Sequence, residues 1–249
     1  MTDDQLRNRL KELSRRSYEK GIYTYSGFLS LAELSELYAM RDTEAPYTVS
    51  GGMEGCERKL VRFGSPELTG YDEELPIVCL TGEPKQARFS EALTHRDWLG
   101  SLMGLGITRS AVGDIIIKEN KAYIFCLENM ADFIIENLTQ VKRTAVRLNV
   151  SDHLPEGELY ALKETVFQVA SERIDAIISH AWHLSRSEAI KLISDERVFI
   201  NSRLVSSPAK TPAAGDIISV RGTGRLRYMG AEGTTKKGKL NVRAAIFVT

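Results

Sequence analysis

The 249-residue sequence has room for two or three domains with real cores, and its 43% hydrophobic and 27% charged residues are ordinary for a globular chain. Thirty-three Lys+Arg balance 33 Asp+Glu, which on its face argues against a nucleic-acid binder. There is no apolar N-terminal segment and no run of 18 apolar residues, so neither export nor a membrane span is expected. The charge is nevertheless uneven. From Arg173 to Thr249 there are 13 Lys+Arg and 6 Asp+Glu, leaving 20 and 27 for residues 1–172. A basic end on an acidic body suits an RNA-directed module attached to something larger. Three widely spaced cysteines, Cys56, Cys79 and Cys126, read as reduced thiols of a cytoplasmic protein.

In chain order, Thr2-Asp3-Asp4-Gln5 predicts a capping box opening a helix to about Lys20, with Leu6, Leu10, Leu13 and Ser17 on one face. A second helix is expected from Leu31 to Met40, then a strand at Tyr47–Val49. The loop Gly51-Gly52-Met53-Glu54-Gly55-Cys56-Glu57-Arg58-Lys59 has the glycines of a phosphate cradle. It lacks the Lys-Ser/Thr ending and the following helix. Alternation in Lys59–Phe63 predicts a strand instead, which makes the loop a hairpin connection that offers Arg58 and Lys59 to a partner.

From Pro76 to Val150 the expected order is strand, helix, strand, strand, helix, strand. Strand-like segments are Ile77–Leu80, Ala87–Phe89, Asp114–Lys118, Ala122–Cys126 and Thr144–Val150. Thr94-His95-Arg96-Asp97 caps the first helix, and the second runs from Glu128 to Leu138. This is the order of a ferredoxin-like, RRM-like sheet. Tyr123 and Phe125 are spaced for one face, either as a base-stacking platform or as core. His95 and His153 lack partners at metal spacing, His180 and His183 stand three apart with no Cys or carboxylate cluster to complete a site, and no metal or cofactor is expected.

The last third is the most informative. Ile174, Ile177, Ile178 and Ala181 recur at helical spacing, and Ser185 with Glu188 forms a capping box for a second helix carrying Ala189, Leu192 and Ile193 inward. Val198–Ile200 reads as a strand, Asn201-Ser202 as a turn and Gly215-Asp216 as the turn before Ile217–Val220. Arg186 stands at a helix N-terminus, where a cation opposes the dipole, so an external phosphate is its natural partner. At Arg173-Ile174-Asp175, Ser185-Arg186-Ser187-Glu188-Ala189, Val198-Phe199-Ile200-Asn201-Ser202, Pro208 and Gly215-Asp216 the stretch resembles the S-four RNA-binding domain. The pattern of that family has glycine where this chain has Glu196 and Ser202. Beyond it, Arg221 to Arg243 holds seven Lys+Arg and one acid, with a hairpin tip at Glu232–Lys239 before a closing strand.

Nearly the whole chain resembles the bacterial YlmH family. The resemblance rests on Gly51-Gly52-x-x-Gly55-x-Glu57-Arg58-Lys59, Leu93-Thr94-His95-Arg96, Leu102-Met103-Gly104-Leu105-Gly106, Gly113-Asp114-Ile115, Arg221-Gly222-x-Gly224-Arg225 and Thr235-Lys236-Lys237. It implies an α+β chain with an N-terminal region (1–74), a central RRM-like domain (75–152), a linker (153–171) and an S-four domain with a basic hairpin (172–249). It further implies a cytoplasmic, ribosome-associated quality-control factor encoded among cell-division genes. Its partners would be rRNA of the large ribosomal subunit, peptidyl-tRNA held in the P site during alanine tailing, and other quality-control factors. No membrane is involved, and a monomer is expected. Arg173, Arg186, Lys191, Arg197 and Arg203 are expected to neutralise phosphates, with Ser185 and Asn201 fixing the backbone and Arg225, Lys236, Lys237 and Lys239 extending the contact. The rival expectation is an RNA-modifying enzyme, a pseudouridine synthase or methyltransferase, that uses the S-four module to hold its substrate. No glycine-rich cofactor loop between a strand and a helix supports the methyltransferase.

Overall fold

In the computed structural model, which describes residues 2–86, 91–151 and 160–248, the chain divides into two units, Met1–Leu159 and Tyr160–Thr249. The first opens as its capping signals predict. Thr2 Oγ1 accepts the Gln5 N–H and Gln5 Oε1 accepts the Thr2 N–H, which starts helix α1 (Asp3–Lys20). Its buried stripe is Leu6, Leu10, Ser14 and Ser17. Strand β1 (Thr24–Tyr25) and helix α2 (Leu31–Ala39) follow, the latter begun by a second box between Ser30 and Glu33. Strands β2 (Tyr47–Ser50) and β3 (Leu60–Phe63) form an antiparallel hairpin across the glycine-rich loop, as expected, and the sheet order is β1-β3-β2. Leu6, Leu10, Leu34, Leu37, Val61 and Phe63 make the core between this sheet and its helices. A short helix α3 (Pro66–Thr69) closes the segment.

The central elements are β4 (Ile77–Pro84), α4 (His95–Gly104), β5 (Val112–Lys118), β6 (Lys121–Leu127), α5 (Ala131–Asn137), β7 (Gln140–Val141) and β8 (Thr144–Val150). The sheet order is β5-β6-β4-β8-β7, with every pairing antiparallel. The strand expected at Ala87–Phe89 lies outside the described residues. Period-two alternation turns Leu80, Ala122, Ile124 and Cys126 toward Trp98 and Leu102 of α4, Ile134 of α5 and Leu138 just beyond it.

The opposite face of this sheet is covered as well. Tyr123 is 9% exposed and Phe125 1% exposed, so these aromatics are core and not a stacking platform. A Cβ at Gly52, whose φ is +96°, would lie 2.5 Å from Phe125 Cδ1, and one at Gly113 would lie 2.7 Å from Phe28 Cε1. Only glycine allows these approaches. A polar seam accompanies them. The Asp114 carboxylate accepts the backbone N–H groups of Glu57 (2.8 Å) and Arg58 (3.0 Å). Arg58 donates to the carbonyls of Val112 (3.1 Å), Phe28 (2.7 Å) and Arg109 (3.2 Å). Burial lowers the pKa of Arg58, against the raising influence of Glu33 and Asp114. The expectation that the loop offers Arg58 outward is thus corrected: the guanidinium is turned inward, where it donates to three backbone carbonyls. The expected regions 1–74 and 75–152 both fall within the single unit Met1–Leu159.

The second unit comprises β9 (Ala161–Val169), α6 (Ile174–Ala181), α7 (Arg186–Ser194), β10 (Val198–Ile200), β11 (Arg203–Leu204), β12 (Ile217–Val220), β13 (Gly224–Thr234) and β14 (Leu240–Val248). Its antiparallel sheet runs β11-β10-β12-β13-β14-β9. Here the linker expected at 153–171 is corrected. Residues 161–169 form an edge strand paired with β14 from Leu240↔Val169 to Val248↔Ala161. Charged Lys163 and Glu164 hide the strand pattern, while Phe167 and Val169 reach the core. That core joins Ile174, Ile177 and Ile178 of α6 and Ala189 and Ile193 of α7 to Val198, Ile218, Leu226 and Val242 of the sheet.

Replacing Arg58 with Ala is expected to destabilise the first unit by about 2–3 kcal/mol by removing three hydrogen bonds to backbone carbonyls; an unchanged urea midpoint would contradict the seam. Asp97 gives a pH signature. Its carboxyl is pulled to about 2 from 3.8 by the Thr94 hydroxyl, then by the Thr94 N–H, with Lys142 adding to the pull. A depressed folded pKa stabilises above the unfolded pKa and loses that stability as pH falls through the folded value. The stability gap between wild type and Asp97→Asn should therefore be constant above about pH 5 and shrink toward pH 2, as followed by thermal melts across that range.

Candidate nucleic-acid interface

The expected RNA-contacting residues fall into small assemblies, each centred on a different partner. Ser185 caps α7: its hydroxyl accepts the Glu188 N–H (3.2 Å), and Glu188 accepts the Ser185 N–H (2.7 Å). This leaves Arg186 at the first turn of α7 and Arg173 at the N-cap of α6. The two guanidiniums meet at one carboxylate. Arg173 donates through Nε to Asp175 Oδ1 (3.1 Å) and through a terminal nitrogen to Oδ2 (2.9 Å), and Arg186 Nε donates to Oδ2 (3.1 Å). The Ala176 N–H adds a fourth bond at 2.9 Å.

Asp175 is fully buried, whereas the Arg173 and Arg186 side chains stay 38% and 59% exposed. Burial alone would raise the Asp175 pKa; the bonds from Arg173 and Arg186 outweigh it and hold the carboxyl below the usual range. Sequence reasoning assigned Arg186 an external phosphate as its reason for standing at a helix N-terminus. The structure supplies an internal one, Asp175. The signal available was a single acid between two arginines that each begin a helix.

Asn201 and Asp216 form the second assembly. Asn201 Nδ2 donates to Asp216 Oδ1 (2.7 Å), Asn201 Oδ1 accepts the Ile217 N–H (2.9 Å), and Asp216 Oδ2 accepts the Ala213 N–H (2.8 Å). Asn201 therefore fixes the backbone, as expected. Arg197 is drawn into the fold: its Nε donates to the Arg221 carbonyl (3.0 Å), and the Arg221 N–H returns to the Arg197 carbonyl (2.9 Å). Arg225 lies over the rings of Tyr160 (4.0 Å) and Phe247 (4.2 Å), which meet edge to face, and makes a cation–π contact with each. Lys191 and Arg203 are exposed, on α7 and β11. Lys236, Lys237 and Lys239 are exposed around the tip between β13 and β14, where the Thr235 N–H donates to the Lys239 carbonyl and the Gly238 N–H to the Thr235 carbonyl.

Where the related pattern has glycine, Glu196 and Ser202 adopt φ of +55° and +62°. The turns survive without glycine, at the cost that a Cβ brings in left-handed backbone. Among the described residues, no group of three His, Cys, Asp or Glu is placed to hold a metal ion, and no helix is long and apolar enough to cross a membrane.

The second unit is thus a helix pair on a bent sheet, with cations at its helix starts and hairpin tip, and it belongs to an α+β chain. Comparison with known proteins says which family that chain represents. A family described as "Putative RNA-binding domain in YlmH" matches residues 84–154. Over 200 residues the chain is 30% identical to "Ribosome-associated protein quality control protein P2" of Bacillus subtilis (strain 168), covering 78% of this chain and 75% of that protein. The chain belongs to the YlmH family. A solved structure, "Cell division protein ylmH from Streptococcus pneumoniae", aligns with a TM-score of 0.46 at 19% identity, over 60% of this chain and 90% of that one.

Glu196 tests the local geometry. Glu196→Gly should relieve its left-handed backbone and raise stability by about 0.5–1 kcal/mol; a lowered melting temperature would contradict this reading.

Proposed function

We propose that the chain is a non-catalytic RNA-binding factor that engages rRNA of the large ribosomal subunit. On a subunit carrying a stalled nascent chain, it would stabilise peptidyl-tRNA in the P site and so support alanine tailing. The observation that carries this reading is the excess of cations in the last third, 13 Lys+Arg against 6 Asp+Glu, with Arg173, Arg186, Lys191, Arg203, Lys236, Lys237 and Lys239 partly or fully exposed. Phosphate contacts of this kind supply affinity without sequence preference, and shape and register come from the fold that carries them. Kinship with a protein named for ribosome-associated quality control supplies the setting.

In this reading the arginine forks and the lysine tip meet the ribose-phosphate chain, while Ser185 and Asn201 hold the turns that present them. The central sheet is taken as ferredoxin-like, from its four long antiparallel strands in the order β5-β6-β4-β8. It acts as a body and not as an aromatic platform, since Tyr123 and Phe125 are buried. Burial pushes the Cys79 and Cys126 thiols up to about 12, so they are protonated and poor nucleophiles at neutral pH.

Changing Lys236, Lys237 and Lys239 together to Ala should weaken association with purified large subunits. It should also flatten the dependence of log affinity on log salt by about one unit per lysine removed. Pelleting assays across a salt series check this; an unchanged slope would take the hairpin tip out of the interface.

A further inference from the structure

We propose that Asp175 is a positioning residue for RNA binding: a buried carboxylate that orders the Arg173 and Arg186 guanidiniums into a two-pronged receptor for backbone phosphodiester. The inference rests on the RNA-binding reading above and deepens it.

Three features of the assembly support it. First, Asp175 is 0% exposed and spends both oxygens on four donors: two from Arg173, one from Arg186 and the Ala176 N–H. It has no face left for a ligand. Second, each arginine is held on its inner side only. Arg186 is anchored through Nε, and its side chain remains 59% exposed; Arg173 remains 38% exposed. A guanidinium carries five N–H donors in a planar fork, so anchoring through Nε leaves donors for an incoming oxygen and fixes their plane. Third, both cations stand where helix dipoles disfavour them, at the N-cap of α6 and the first residue of α7. One carboxylate offsets both and leaves the trio with a net single positive charge. The acid nearest in sequence to Arg186, Glu188, is occupied by the Ser185 N–H and hydroxyl.

Electrostatics and positioning predict opposite signs. Asp175→Asn is nearly isosteric and removes a negative charge beside two cations, so charge alone would tighten binding to RNA. If the carboxylate matters because it orders the two forks, the same change weakens binding, since both long side chains must then be immobilised on association.

The test is titration of a fluorescein-labelled RNA stem-loop with the full chain as wild type, Asp175→Asn, Arg186→Ala and the double variant. Circular dichroism confirms folding at the assay temperature. Asp175→Asn is expected to weaken binding by about tenfold, and by clearly less when Arg186 is already Ala. Equal or tighter binding by Asp175→Asn, with Arg186→Ala weakened, overturns the positioning role and leaves the RNA surface standing. Strict additivity in the double variant also overturns it, because a purely structural role acts without regard to Arg186. Wild-type binding by Arg186→Ala overturns the role and the surface together. Should Asp175→Asn not fold, the arginine Nε–H resonances of the wild-type chain take its place. Slow solvent exchange at Arg173 and Arg186, with terminal nitrogens shifting on RNA addition, is the expected result. Fast exchange in the RNA-bound state overturns the proposal.

Discussion

A carboxylate buried without partners costs several kcal/mol, and such a group survives in a core only when its oxygens are fully used. Asp175 meets that condition by drawing Arg173 and Arg186 to the place where α6 and α7 begin. Much of the second unit depends on this. The two helix starts are tied together, so the apolar stripes carrying Ile177, Ile178, Ala189 and Ile193 sit down on the sheet in one register. The same bonds let two cations face outward at positions that isolated helices would disfavour. Asn201 and Asp216 play a similar part within the sheet, clamping the turn after β10 to the start of β12. Residues that look like an RNA-reading motif are thus first of all braces of the fold, bonded to its own carboxylates and backbone.

The first unit is built on a different constraint, close approach. Gly52 and Gly113 let the glycine-rich loop and Phe28 lie against Phe125, and Asp114 and Arg58 supply the polar bonds across that contact. A sheet with exposed central aromatics would be a base-stacking surface. This one has that part of its face taken by its own chain. In the segment matched to the family's RNA-binding description, residues 84–154, Tyr123 and Phe125 are therefore buried and form no ring platform.

Much of this was legible in the sequence, and the failures have physical causes. Capping signals at Thr2, Thr94 and Ser185 mark helix starts because they are local, set by residues three apart. The turn at Asn201-Ser202 and the hairpin over residues 51–59 were readable for the same reason. Strand β9 was not: its pairing partner lies some 80 residues further on, and Lys163 and Glu164 on an exposed edge break the alternation. Arg58 was read as an outward cation, and the internal partner of Arg186 was missed, because charge is visible in sequence while the carbonyl or carboxylate that receives it is not. The burial of Asp175, on which the arrangement of the arginines turns, is a tertiary fact with only a weak local trace.

The account's central claim is that RNA is met by the cations of the second unit. The most direct measurement is cross-linking of the intact protein to large ribosomal subunits, followed by mass spectrometry of the cross-linked peptides. Cross-links concentrated in peptides spanning residues 173–203 and 236–239 are predicted. Cross-links confined to the β4–β6 strands of the first unit, with none in those two segments, would contradict it.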